Sequence, residues 1–432
     1  MEYLILQTFR PSLNSIWSLI FFPLDNQDLT PHLFRTEYTK IVSVICNKFG
    51  LKSIELAEDI VSDTFLKASE TWGLKGVPKN PTAWLYTVAK NNTHDYFKRE
   101  QLFKQKIEPE LKQSYSNEKE FDIDLTDKNI SDSQLQMLFA VCTPVLSKES
   151  QLTFALRILC GFGIDEIASA LLTSKSTINK RLTRAKNTLK VNNIDLTIPN
   201  QQQLIERLDN VLSIIYLVFN EGYYSTSAHQ IINKDMCIEA MRLTYMLLNF
   251  KQTNTPKVNA IMALFCFHSS RFDARQNKQG EQILYHEQDD SKWDTELIEK
   301  GKYFLQYSTD SGKYTKYNLE ALIAFWHTQL NVKETEKWEN ILQLYNQLIQ
   351  IEYSPITAIN RTYALYKTST KSIALKEALK IGLDNNHFYH LLLVELYDDK
   401  IKQLEHLNIA FTLANTKQDK AFINRKINQL SV

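Results

Sequence analysis

Residues 163–190 read Gly163-Ile-Asp-Glu-Ile-Ala-Ser-Ala-Leu-Leu-Thr-Ser-Lys-Ser-Thr-Ile-Asn-Lys-Arg-Leu-Thr-Arg-Ala-Lys-Asn-Thr-Leu-Lys190. Ile164, Ile167, Ala168 and Leu171 recur at helical spacing, and Asp165 and Glu166 stand in the first turn, where the helix dipole favours negative charge. Leu172-Thr173-Ser174-Lys175 is a short polar turn in which Ser174 can cap the next helix. That helix puts Ile178, Leu182, Ala185 and Leu189 on one face and Ser176, Lys180, Arg181, Thr183, Arg184 and Lys186 on the others. Between Ile167 and Ile194 no side chain is acidic. A short helix, a tight turn and a basic second helix make a helix-turn-helix, whose second helix fits the major groove of DNA. A helical hairpin with a solvated cationic face would show the same local pattern. The turn carries Leu172 where many such motifs keep glycine, so it must avoid positive φ or carry strain.

The chain around this motif is long and rich in helix-forming sequence. Its 432 residues exceed one small core and predict several domains. With 44% hydrophobic and 23% charged residues, the composition is that of an ordinary globular protein. Only 10 glycines and 10 prolines argue against a turn-dense β fold, and the expectation is all-α. A net charge of +1 does not exclude nucleic acid, because a local basic stripe is the relevant footprint. The five cysteines, Cys46, Cys142, Cys160, Cys237 and Cys266, lie far apart with no metal-ligand spacing, as expected of buried thiols in a reducing compartment. No apolar run is long enough to span a bilayer, and residues 1–24 lack a basic leader and a small-residue cleavage site. A cytoplasmic location with no membrane partner is expected.

Upstream of the motif, residues 33–100 read as a helical domain. One helix buries Ala57, Ile60, Val61, Thr64, Phe65 and Ala68, and shows Asp59, Ser62, Asp63 and Lys67 on the opposite face. The loop from Trp72 to Lys79 is broken by Gly73 and Gly76, after which Asn80 caps a helix and Pro81 takes its first position. From Thr71 to His94 there is no acidic side chain, while Lys75, Lys79 and Lys90 are interleaved with Trp72, Trp84 and Tyr86. Cations that track phosphates beside aromatics that stack on bases suit single-stranded nucleic acid. Phe97 reads as core, and Trp84 fits either a core position or a stacking platform. Residues 101–130 are a flexible acidic linker, with Glu108, Glu110, Glu118, Glu120, Asp122, Asp124 and Asp127 among few apolar residues. Helical periodicity resumes from about 131.

Asp59-Ile60-Val61-Ser62-Asp63-Thr64-Phe65-Leu66-Lys67-Ala68, followed by Asn80-Pro81-Thr82-Ala83-Trp84-Leu85-Tyr86-Thr87-Val88-Ala89-Lys90-Asn91, resembles region two of sigma-70 family factors, and residues 131–190 resemble region four. With no domain between them, the arrangement is similar to the extracytoplasmic-function group. The extension, marked by Phe219-Asn220-Glu221-Gly222-Tyr223 and by the stretch from Glu287 to Asp294, resembles a subgroup with a long tetratricopeptide-like tail. The resemblance implies core RNA polymerase and promoter DNA as partners. It implies that Asp59, Asp63 and Phe65 dock on the polymerase clamp. Lys79, Asn80, Trp84, Lys90, Asn91, Lys98 and Arg99 would hold the minus-ten element, and Lys175, Ser176, Thr177, Lys180, Arg181 and Arg184 would read the minus-thirty-five element as duplex. The implied domains are 1–27 as an unassigned extension, 28–100 like region two, 101–130 as the acidic linker, 131–192 like region four, and 193–432 as a helical extension.

From Gln201 onward, Leu204, Leu208, Val211, Leu212, Ile215 and Tyr216 form one apolar stripe. From about 335, segments beginning near Trp338, Lys371 and Lys402 recur at about the period of a helical-hairpin repeat, loosely tetratricopeptide-like. Such stacks offer a concave surface for a protein or peptide, here a regulatory protein or an intramolecular contact. Asn220, Glu221, Tyr223, Asp289 and Trp293 are the interaction or pocket candidates of this half. His286-Glu287-Gln288-Asp289-Asp290 lacks the second histidine of a zinc-protease motif, so no metal is assigned. No nucleophile–base pair or phosphate-cradling glycine loop stands out, and neither an enzyme nor a cofactor is expected. The competing reading is a ligand-responsive helix-turn-helix regulator that is not a polymerase subunit; it leaves the basic-aromatic segment 72–100 without a purpose.

Overall fold

The computed structural model describes residues 29–107, 122–223, 233–275, 283, 285–309, 314–414 and 416–431. The fold is all-α, with no strand among the described residues. The chain divides into two compact units, residues 1–214 and 215–432. Residues 1–27 and most of the acidic linker (108–121) lie outside the described residues.

Unit 1 is built on α1 (Leu29–Phe49), α2 (Ile54–Lys75) and α3 (Pro81–Ile107). Tyr38, Ile41, Val42 and Ile45 of α1 are fully buried against the Ala57, Ile60, Val61 and Phe65 face of α2, as the 3.6-residue period requires. Phe97 of α3 stacks on Phe49 at 3.8 Å, both rings half-buried at the edge of the core. Asn80 caps α3 by accepting a hydrogen bond from the Ala83 amide at 3.0 Å. The helix runs on to Ile107, past the expected start of the linker. The far end of the linker is packed: Ile123 and Leu125 are buried ahead of α4 (Asp127–Val141). Next come α5 (Lys148–Phe154), which passes into a π turn over Ala155–Leu159, then α6 (Ile164–Ala170) and α7 (Lys175–Val191). The first half of α8 (Gln201–Tyr223) packs here too: Asn210 donates to the Cys142 carbonyl at 2.6 Å, and Arg207 reaches the Phe139 carbonyl. Those two donors close orphan carbonyls at the end of α4.

The helix-turn-helix forms as its caps dictate. Ser174 Oγ accepts from the Thr177 amide at 3.1 Å, and Glu166 reaches back to the Gly163 amide at 2.7 Å. The turn does not avoid positive φ. Leu172 sits at φ 46° with 67% of its surface exposed, a conformation that costs a β-carbon-bearing residue about 1–2 kcal/mol. Leu172→Asn, which tolerates this region without glycine's added freedom when unfolded, is expected to stabilise the protein by about 1 kcal/mol. Urea denaturation of the two proteins measures it; a lower midpoint for the variant would mean that the Leu172 side chain contributes packing that outweighs its strain.

Unit 2 centres on α10 (Pro256–Ser269), which is apolar on every face and therefore buried all round. It packs against α9 (Lys234–Asn249), α11 (Thr295–Ser308) and α12 (Lys316–Thr328). Gly301 lets α11 approach closely, since a β-carbon there would stand 2.6 Å from the Phe267 ring. The remaining helices pack each on the next in sequence: α13 (Glu334–Ile351) and α14 (Pro355–Thr368), α15 (Lys371–Ile381) and α16 (His387–Leu396), and α17 (Lys400–Leu413) and α18 (Lys417–Ser431). Successive apolar clusters around Trp338 and Ile341, then Ala378 and Tyr389, then Leu407 and Ile423 run through these helices. The segments near Trp338, Lys371 and Lys402 fall on α13, α15 and α17, alternate helices of the series.

Candidate nucleic-acid interface

In α7, Ile178, Leu182, Ala185 and Leu189 are buried, which turns the cationic face outward. A shallow groove on that face is lined by Ser176, Asn179, Lys180, Thr183 and Arg184. Its side chains mix cations for phosphates with an amide and hydroxyls able to read base edges. Lys175 is exposed and pairs with exposed Asp165 at 2.7 Å, an ion pair that water screens and a phosphate can replace. Arg181 is half-buried at the edge of the face. Thr177 stands apart from the other expected contacts: its amide and hydroxyl both engage Ser174 in the cap. Asn179 and Thr183 line the groove as well, although they are not among the DNA contacts that the resemblance implies.

On α3, Trp84, Asn91 and Lys98 are spaced by seven residues and so share one side of the helix. Asn91, Lys98 and Arg99 are exposed, as are Lys79 and the capping Asn80. Trp84 is half-buried, edge-on to Trp72 at 5.5 Å, which leaves part of its ring at the surface. Lys90 turns to the linker instead, 3.7 Å from Asp122. On α2, Asp59 and Asp63 are exposed, whereas Phe65 is buried edge-on to Phe34 at 4.9 Å and serves the core. Leu66, 58% exposed beside Asp63, is the apolar side chain that α2 does present.

A group not foreseen from sequence ties α1 and α2 to the helix-turn-helix. Glu58 of α2 accepts from the Tyr38 hydroxyl at 2.7 Å and from Arg157 Nε at 3.1 Å, while Lys186 Nζ lies 2.6 Å from its other oxygen. The π turn carries Arg157, and Lys186 comes from α7 itself. Burial alone would raise the Glu58 carboxyl, but Lys186, the Tyr38 hydrogen bond and Arg157 outweigh it and hold the group below the usual carboxylate range. Nearby, Arg35 of α1 lies over the Phe162 ring and pairs with Glu166 at 3.1 Å.

In unit 2, Tyr223 and Trp293 come into one neighbourhood through Arg271, whose guanidinium lies 3.5 Å from the Tyr223 hydroxyl and 6.0 Å from the centre of the Trp293 ring. Asp289 is exposed and caps a short turn through Ser291, and Asp294 caps α11 by accepting from the Leu297 amide at 2.9 Å. Asn220 and Glu221 are half-buried on α8, where burial raises the Glu221 carboxyl.

Residues 33–103 match the family model of sigma-70 region 2, and residues 137–189 match that of sigma-70 region 4. The two matches support a sigma-70 family sigma factor. The first match falls on α1 to α3 and the second on α4 to α7, and the two support RNA polymerase binding and promoter recognition as the role of this part of the chain. Residues 207–309 match a family of unknown function, DUF6596. An uncharacterized protein of Rhizobium meliloti (strain 1021) is 29% identical over 387 residues, which cover 88% of this chain and 91% of that protein. No solved structure matches. Among the described residues, no helix is long and apolar enough to cross a membrane.

Proposed function

We propose that the chain is a promoter-specificity subunit of RNA polymerase of the extracytoplasmic-function kind, whose tetratricopeptide-like extension regulates or supports it. The observation that carries this reading is the presence of two exposed surfaces of different chemistry in one chain, each suited to a different form of DNA. The groove on α7 suits duplex readout, and the Trp84–Asn91–Lys98 side of α3 combines a ring, an amide and a cation, as single-strand binding needs. Asp59, Asp63 and Leu66 make a compact acidic and apolar surface for polymerase, with Leu66 in the part first given to Phe65. Cytoplasmic action follows from the role.

Run-off transcription with core polymerase tests it. A specific transcript is expected with both proteins present and with neither alone. Tight binding to duplex promoter DNA by the chain alone, with no initiation on core enzyme, would instead establish the ligand-responsive regulator. In the same assay, removal of the extension has to spare the first half of α8. A chain ending at Pro199 is expected to unfold at lower temperature than one ending at Ile214, because it loses Arg207 and Asn210 from the end of α4. Equal melting temperatures would show that α8 contributes nothing to unit 1.

A further inference from the structure

Among the described residues, unit 2 gathers several buried polar groups without hydrogen-bond partners in one place. Arg271 is 8% exposed, and its guanidinium lies 5.4 Å from the Tyr285 ring centre and 6.0 Å from that of Trp293, yet its Nε has no acceptor. Trp293 is 7% exposed, and its indole N–H is unpaired as well. His268 Nδ1, on a ring 4.6 Å from that of Tyr223, also has no partner. Lys337, buried, donates to the Tyr285 hydroxyl at 2.7 Å, and Arg275, buried, lies 3.8 Å from the Tyr223 ring centre. Among the described residues, no carboxylate pairs with Arg271, and the one paired with Lys337 is the exposed Glu334.

Such an arrangement is costly when left as it stands. Each buried donor without an acceptor costs about 1–3 kcal/mol, and a buried guanidinium with no counter-charge costs several more. The histidines do not add to the charge: burial and the neighbouring arginines push His268 well below its ordinary value, and burial with Arg271 and Lys337 brings His327 down to about 3. What stays positive and unmatched among the described residues is Arg271, whose Nε–H stands with the Trp293 N–H beside the faces of Tyr223, Tyr285 and Trp293. What complements it is an oxyanion on a flat organic body. The oxygens would accept from Arg271 and Trp293, as guanidinium groups favour with carboxylate and phosphate, and the body would lie against the rings.

We infer that unit 2 carries a binding site for a small organic anion, a carboxylate or phosphate ester, centred on Arg271 and Trp293 and walled by Tyr223 and Tyr285. The assignment needs no polymerase, so it stands or falls separately from the promoter reading.

The test uses the full chain, with benzoate and phenyl phosphate as the two probes and sodium chloride at matched ionic strength as the control. One or both probes are expected to raise the thermal midpoint saturably, and the stronger of the two identifies the head group. Trp293→Phe keeps an aromatic face but removes the N–H with the pyrrole part of the ring; it is expected to weaken binding about tenfold or more, at least the worth of one hydrogen bond to a charged acceptor. Arg271→Gln is expected to abolish the shift. Should Arg271→Gln fail to fold, Trp293→Phe decides alone. No saturable shift with either probe, or a Trp293→Phe protein that binds as tightly as the parent, would overturn the site and leave the cluster a cation–aromatic packing element.

Discussion

Glu58→Ala is expected to lower the stability of unit 1 by about 3 kcal/mol, because it leaves Arg157 and Lys186 half-buried without their common partner. Chemical denaturation followed by far-ultraviolet circular dichroism measures the difference, with Glu58→Gln as the milder variant that keeps the side-chain shape. The pH dependence has a definite sign. The folded carboxyl titrates below its unfolded value, so its contribution is fully present above the ordinary glutamate range, near 4.3, and disappears as pH falls through the folded value. The gap between parent and Glu58→Gln should therefore close in acid and stay constant from pH 6 to 8. A gap that grew on acidification would mean that Glu58 is not the ionised hub of the cluster.

The same carboxylate has a consequence on the promoter. A compact unit of about 200 residues has a radius of gyration near 17 Å. Elements centred at minus ten and minus thirty-five lie about 25 base pairs apart, roughly 85 Å of straight duplex. On the proposed reading, regions 2 and 4 packed as in unit 1, with Lys186 of α7 bound to Glu58, cannot reach both. The tie has to open when both elements are held, so the stability lost in Glu58→Gln should not be matched by a loss of run-off transcript.

The helices, the caps and the outward face of α7 were legible in the sequence because each depends on local spacing. Ser174 and Asn80 cap as read, and Ile178, Leu182, Ala185 and Leu189 are buried as their period requires. The period also places Phe65 inside, and that placement is at odds with its expected part as a polymerase contact. Turn strain at Leu172 was posed as one of two outcomes, and only backbone geometry decides between them. The Glu58 hub was illegible because its partners lie 20, 99 and 128 residues away, and no local pattern marks a buried glutamate that will find them. The Arg271 cluster was half legible: Tyr223 and Trp293 stood out as unusual residues. The arginine that joins them lies in a stretch with no motif, and only the fold reveals that its Nε lacks an acceptor among the described residues.

The double variant Lys180→Ala with Arg184→Ala separates promoter choice from promoter opening. Each side chain lines the α7 groove and projects to solvent, so neither loss should disturb the core beneath. A cation that contacts a base contributes about 1–3 kcal/mol, so the holoenzyme formed with this variant is expected to bind its promoter on the order of 100-fold more weakly. If both act on phosphates instead, the loss will be similar for all sequences, and the slope of log affinity against log salt will fall by about 1.8. Trp84→Ala on α3 should do the reverse, leaving closed-complex affinity nearly intact while strand opening, read by permanganate footprinting, declines. These two outcomes follow from the proposed division: duplex phosphates and base edges would meet α7, and unpaired bases need a ring to stack on. A Lys180→Ala/Arg184→Ala protein that bound promoter normally but failed to open it would invert the division of labour, and would move the single-strand contact from α3 to the helix-turn-helix.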